Sequence, residues 1–144
     1  FDCLEIGKAK VIKDVDSEIV IFSFGNVMNL SLDIADELNC SLIDMRFIKP
    51  LDEELIEKYA KNCKHLISIE ENVISGGAGS AINEFLSTIG FSEKLKIFGI
   101  PDEFPIVGSQ SDQREAAGLT KKEIIRKLSL ELNLEELNKK ISTQ

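Results

Sequence analysis

Three features of the sequence predict an α/β fold of three layers, α/β/α, with helices on both faces of a five-stranded mixed, mostly parallel sheet. Short apolar runs alternate with segments whose apolar residues recur at helical spacing. Ile19–Phe22 is continuous and mostly β-branched, as in a central strand buried on both faces. Leu66–Ile69 reads as a short buried strand, and Leu42–Ile43 and Leu95–Phe98 mark two more strands. A fifth, in the second half of Leu4–Lys13, alternates polar with apolar and reads as an edge strand with one wet face. No helix separates it from the next strand, so this first strand is expected to run antiparallel.

Taken in order, Asp14–Glu18 is a polar turn into the Ile19 strand, which Gly25-Asn26 ends. Val27, Leu30, Ile34, Ala35 and Leu38 give the next helix its apolar stripe, and Asn39 suits its C-terminal end. After the Leu42 strand, Pro50 holds the residue before it extended and Asp52 is a good N-cap. Glu53 and Glu54 follow in the first turn, where the helix dipole favours negative charge, and Leu55, Tyr59, Ala60 and Cys63 form the inner face. The Leu66 strand leads into a helix with Ala78, Ile82, Phe85, Leu86 and Ile89 on one side. Asp112–Ala117 reads as a short helix stopped at Gly118. Thr120-Lys121-Lys122-Glu123 is a capping-box pattern ahead of Ile124, Ile125, Leu128 and Leu132.

One domain is expected over residues 1–132, followed by a charged tail, 133–144, with weak helical spacing at Leu134, Leu137 and Ile141. The expected core comprises Ile19, Ile21, Leu30, Ile34, Ile43, Leu55, Ile67, Ile69, Ile82, Phe85 and Ile97.

A length of 144 residues suffices for a real core, and a net charge of -8 argues against a nucleic-acid partner. No apolar run approaches a membrane span, so no membrane partner is expected, and no signal-peptide pattern opens the chain. Cys3, Cys40 and Cys63 are odd in number, far apart and without a Cys-x-x-Cys pair, which fits reduced thiols in a cytoplasmic protein. With a single histidine there is no metal-ligand spacing. The chain opens on Phe1 rather than Met and so reads as a piece of something longer.

The segment that stands out is Ser68–Ser80, where two carboxylates, Glu70 and Glu71, precede three glycines, Gly76, Gly77 and Gly79, at a helix start. Two readings stand, a phosphate cradle or a tight turn that lets the helix pack closely. The pattern is no P-loop, and Ile82 occupies the last glycine position of Gly-x-Gly-x-x-Gly. Two carboxylates would also repel a phosphate, so a dedicated nucleotide site is not expected. Gly25-Asn26, Asp44–Lys49, Glu70–Ser80 and Gly99–Phe104 all follow strands, and in a parallel sheet they share its carboxyl edge. Asp44, Arg46 and Lys49 suit an ion pair or an interface better than catalysis, because no nucleophile or base stands near. Glu70 and Glu71 are sequential and point opposite ways in an extended chain, which makes them a poor acid/base pair. His65 falls at the opposite edge.

Three ordered motifs carry a family resemblance: Asp44-Met45-Arg46-Phe47-Ile48-Lys49-Pro50-Leu51-Asp52, Glu70-Glu71-Asn72 with Gly76-Gly77-Ala78-Gly79-Ser80, and Gly99-Ile100-Pro101-Asp102-Glu103-Phe104. They resemble the C-terminal domain of the 1-deoxy-D-xylulose-5-phosphate synthase family, thiamine-diphosphate enzymes of the transketolase group. Leu4–Ala9 looks like the segment entering that domain, and Gly108-Ser109, Arg114 and Gly118-Leu119 also fit. Around Pro105-Ile106-Val107 the sequence departs from relatives that carry a polar residue before the glycine matching Gly108. The resemblance implies a parent reaction in which pyruvate is decarboxylated on thiamine diphosphate and its two-carbon unit joins glyceraldehyde 3-phosphate, toward isoprenoids and thiamine. It also implies that thiamine diphosphate and Mg²⁺ are held by upstream domains, so this stretch alone holds no cofactor and is inactive. Arg46, Lys49, Glu70, Glu71, Gly76, Gly77 and Asp102 then form an interface to those domains or to the partner subunit of a homodimer. Closely related domains close transketolase and the pyruvate dehydrogenase beta subunit. A free-standing anion-binding module is the other class.

Overall fold

The computed structural model describes residues 3–91, 95–104 and 106–132, and the expected tail lies outside them. The strands are β1 (Lys10–Lys13), β2 (Ile19–Phe24), β3 (Ser41–Asp44), β4 (His65–Val73) and β5 (Leu95–Ile100). The helices are α1 (Met28–Glu37), α2 (Glu53–Asn62), α3 (Ala78–Thr88), α4 (Gln110–Ala116) and α5 (Lys121–Leu132). The sheet order is β1-β3-β2-β4-β5. All neighbours are parallel except β1, which runs antiparallel to β3 at one edge, as the missing helix predicted.

Every residue of β2 is buried, which places the continuous apolar run at the centre of the sheet. Alternation then assigns the faces. Val20, Phe22 and Phe24 pack in one cluster with Ile56, Tyr59 and Ala60 of α2 and Ala78, Ile82 and Leu86 of α3. Ser23 points the other way and shares a buried 2.9 Å hydrogen bond with Ser31 of α1. Helices therefore lie on both faces of the sheet, in three layers.

Of the expected core, Ile19, Ile21, Ile34, Ile43, Ile67, Ile69 and Ile82 are buried, while Leu30, Leu55, Phe85 and Ile97 are half-buried. Ile56 is the fully buried residue of α2 that the stripe at Leu55 and Tyr59 passed over. The Tyr59 ring meets Phe22 edge-on at 6.4 Å and its hydroxyl donates to Asp14 Oδ1 at 2.9 Å.

The caps follow the sequence closely. Asn39 takes a left-handed φ of 45° after α1, and Asp52 Oδ1 accepts the Leu55 N–H at 3.3 Å to start α2. Asp52 has a second role. Its Oδ2 accepts the Ala9 N–H at 3.0 Å, and Lys8 Nζ lies 3.7 Å from Oδ1. A Cβ on Gly7 would stand 2.7 Å from Pro50 Cγ, so the entering segment packs directly on the Pro50–Asp52 turn.

The chain divides into two compact units, Phe1–Phe104 and Pro105–Gln144, a division inside the span expected as one domain. The first unit holds the sheet with α1, α2 and α3. In the second, α4 starts at a full capping box: Ser109 Oγ accepts the Asp112 N–H, and Asp112 Oδ2 accepts the Ser109 N–H at 2.9 Å. The Ser109 hydroxyl, 2.7 Å from Asp112 Oδ2, and the Ser109 N–H together hold the Asp112 carboxyl below its ordinary range. Only half of the box expected at α5 forms. Thr120 Oγ1 accepts the Glu123 N–H at 3.3 Å, but the Glu123 carboxylate turns instead to Arg126.

Candidate functional site

Glu70 lies on the face of β4 that α3 covers, paired across the sheet with Phe24 of β2. From the end of β2 the chain crosses to β3, and from the end of β4 it goes the other way, to β5. The gap between such strands is where doubly wound sheets hold ligands. Here a side chain of the protein fills it. Glu70 is 1% exposed, its Oε2 accepts the Ala78 N–H at 2.7 Å, and its Oε1 accepts the Gly79 N–H at 2.8 Å.

The neighbouring donors are also spent. The Gly76 N–H donates to Ser80 Oγ at 3.1 Å, and the Gly77 N–H donates to Ile74 O at 3.3 Å. A phosphate would need these successive N–H groups, and each already has an internal acceptor. Of the two readings left open by the sequence, the geometry is that of the tight turn. Burial pushes the Glu70 carboxyl above its ordinary value, and the two N–H donors pull it partly back.

Three glycines make room for this carboxylate. A Cβ at Gly77 would run into Glu70 Oε2 and Val73 O, one at Gly79 would stand 3.0 Å from Glu70 Oε1, and one at Gly99 would stand 3.1 Å from Glu70 Cγ. Gly77 has an ordinary φ of -79°, so space rather than backbone freedom demands glycine there. Below them the Ser68 hydroxyl is buried with no hydrogen-bond partner, and an added Cβ on Gly79 would sit 2.6 Å from it. A small side chain at Ser68 lets α3 approach β4.

The loop after β3 carries a different feature. Arg46 takes a φ of 57°, a left-handed conformation that costs a non-glycine residue about 1–2 kcal/mol. It is the centre of a γ-turn in which the Phe47 N–H returns to Met45 O. Asp44 braces the turn: Oδ1 accepts the Arg46 N–H at 3.3 Å, and Oδ2 lies 3.7 Å from Arg46 Nε. The Lys49–Pro50 peptide that follows is cis. A groove of about 470 Å³ opens beside it, with Ile48, Leu51, Ala81 and Phe85 in its walls and Lys49, Glu53 and Glu84 among its lining.

The residues expected at an interface do not all share one surface. Arg46, Lys49, Gly76 and Asp102 are exposed at the carboxyl edge and Glu71 is half-buried there. Glu70 and Gly77 lie beneath that surface and shape it from below. Glu71 points away from Glu70, as alternation requires. His65 sits at the other end of β4, where its N–H donates to Glu18 O at 3.0 Å. Among the described residues no group of three or more His, Cys, Asp and Glu could hold a metal ion. Cys3, Cys40 and Cys63 form no disulfide, and burial pushes the Cys40 thiol up to about 12, which leaves it inert. With the donors of the glycine-rich turn committed, the residues present do not fit a diphosphate group. No helix among the described residues is long and apolar enough to cross a membrane.

The fold and its carboxyl edge define a class, and comparison with known proteins agrees: the chain belongs to the transketolase C-terminal domain family, whose sequence profile ("Transketolase, C-terminal domain") matches residues 7–124. Within that class it is similar to 1-deoxy-D-xylulose-5-phosphate synthases. The enzyme of Pseudoalteromonas translucida is 41% identical over 130 residues, 90% of this chain, and that of Hamiltonella defensa 44% identical over 125 residues, 87% of this chain. The chain spans about a fifth of the length of these relatives (21% and 20%). Among solved structures, one described as a split gene transketolase, inactive beta4 tetramer, is 27% identical with a TM-score of 0.73, covering 91% of this chain and 44% of that one. Transketolase from Campylobacter jejuni shares the fold at 20% identity and a TM-score of 0.60, covering 85% of this chain and 18% of that one.

Proposed function

We propose that this domain is the docking and dimer-assembly part of a cytoplasmic 1-deoxy-D-xylulose-5-phosphate synthase. In that enzyme upstream domains hold thiamine diphosphate and Mg²⁺ and condense pyruvate with glyceraldehyde 3-phosphate. The observation that carries the reading is Glu70. A domain that commits a buried carboxylate and the N–H groups of its glycine-rich turn to each other keeps no donors for a phosphate at its switch point. It does present an exposed edge, where Arg46, Lys49 and Asp102 make no intramolecular hydrogen bond through their side chains among the described residues. Such an edge suits recognition of another protein surface by paired hydrogen bonds.

The same observation opposes a free-standing anion-binding module. Membership of another transketolase-group enzyme is the remaining alternative, and the 41–44% identities to synthases support the synthase over it. Turnover tests the reading. The 144-residue chain supplied with both substrates, thiamine diphosphate and Mg²⁺ should form no deoxyxylulose phosphate, and a polypeptide joining it to synthase upstream domains should form it. Product from the chain alone would overturn the proposal.

A further inference from the structure

We infer that Arg46 is the anchor of the docking edge, and that its guanidinium receives a carboxylate from the upstream part of the enzyme. The inference rests on the docking reading above and names the chemistry of the partner.

Two non-glycine residues have a positive φ among those described, Asn39 and Arg46. Asn39 ends a helix, a position that asparagine commonly fills. Arginine has no such preference, and a turn needing only the left-handed backbone would be served better by glycine or asparagine. The side chain is therefore what the position requires. Asp44 fixes the base of that side chain through the Arg46 N–H and stands 3.7 Å from Nε, beyond hydrogen-bond distance. Arg46 as a whole is exposed, but its side chain is only 25% exposed, and its guanidinium makes no hydrogen bond to any described residue. A planar fork of donors, held in place beside Asp44, partly desolvated and with no hydrogen bond of its own, matches a carboxylate in two parallel bonds. A singly charged carboxylate also meets less repulsion than a phosphate from Asp44, Glu71 and Asp102 along the same edge.

The experiment uses the full polypeptide that carries this domain, with Arg46→Gly, Arg46→Ala and Arg46→Lys. Glycine relaxes the backbone while removing the fork, so Arg46→Gly should melt no lower than the parent. Amide hydrogen exchange is then read at Glu71–Gly76 and Pro101–Phe104. Arg46→Gly and Arg46→Ala should speed exchange in those loops tenfold or more, and Arg46→Lys should fall between, because an ammonium cannot form the fork. Parental loops protected in the full polypeptide and unchanged in all three variants would overturn the inference and leave the docking reading standing. Parental loops that exchange as fast as in the 144-residue chain would remove the docking reading itself. Loss of turnover, or a raised KM for the phosphorylated substrate, with loop protection intact would assign the guanidinium to a substrate anion and also overturn the inference.

Discussion

Two backbone N–H groups at the start of α3 depend on the Glu70 carboxylate, and both are buried with it. Glu70→Ala strands them, at a cost of about 1–3 kcal/mol that urea unfolding can measure. The charge has its own pH dependence. Because burial raises the Glu70 pKa in the fold, the folded chain holds that proton more tightly than the unfolded chain does. The resulting stabilisation is full below the unfolded value, about 4.3, and is lost as pH rises through the higher folded value. The stability of the parent relative to Glu70→Gln should therefore decline as pH is raised from about 4 toward neutrality, and a difference that grows with pH would contradict it. Ser68 predicts the opposite kind of result. Its hydroxyl is buried without a partner, so Ser68→Ala should leave stability unchanged or raise it by about 1 kcal/mol, read as a shift in the urea midpoint.

At the scale of the element, β4 and α3 act as one unit because the side chain that ends the strand caps the helix. Ile67 sits in β4, flanked by β2 and β5 and 1% exposed, so Ile67→Ala should cost about 2–5 kcal/mol. Gly77→Ala should be comparably damaging for a different reason, since its methyl group meets the Val73 carbonyl and the Glu70 carboxylate, neither of which can retreat cheaply. Both are checked by thermal unfolding of the variants, and a near-neutral Gly77→Ala would refute the packing described around Glu70.

These elements also show how far a sequence can be read. The strands buried on both faces were legible because continuous β-branched runs have few other uses. The end of β4 was not: the apolar run stops at Ile69, but pairing of Val73 with Ile100 carries the strand past both glutamates. The role of Glu70 was hidden because its partners lie eight and nine residues on, and only the folded turn brings them back. Arg46 was legible as part of a motif, while its left-handed backbone leaves no mark on composition or period. The double use of Asp52 joins residues 43 apart, and local pattern shows only its capping half.

At the scale of the molecule, a family domain one fifth the length of its relatives has to be understood by what it presents to the rest. The carboxyl edge, where other doubly wound folds take ligands, is closed by a buried carboxylate underneath and dressed with the charged side chains of Arg46, Lys49 and Asp102 above. That arrangement leaves no preformed phosphate site, and the proposed docking role would use the charged surface above it. Titration calorimetry of the 144-residue chain with thiamine diphosphate and Mg²⁺ tests this most directly. Docking without cofactor binding predicts no measurable heat of binding far above micromolar cofactor, whereas a saturable micromolar isotherm would contradict it.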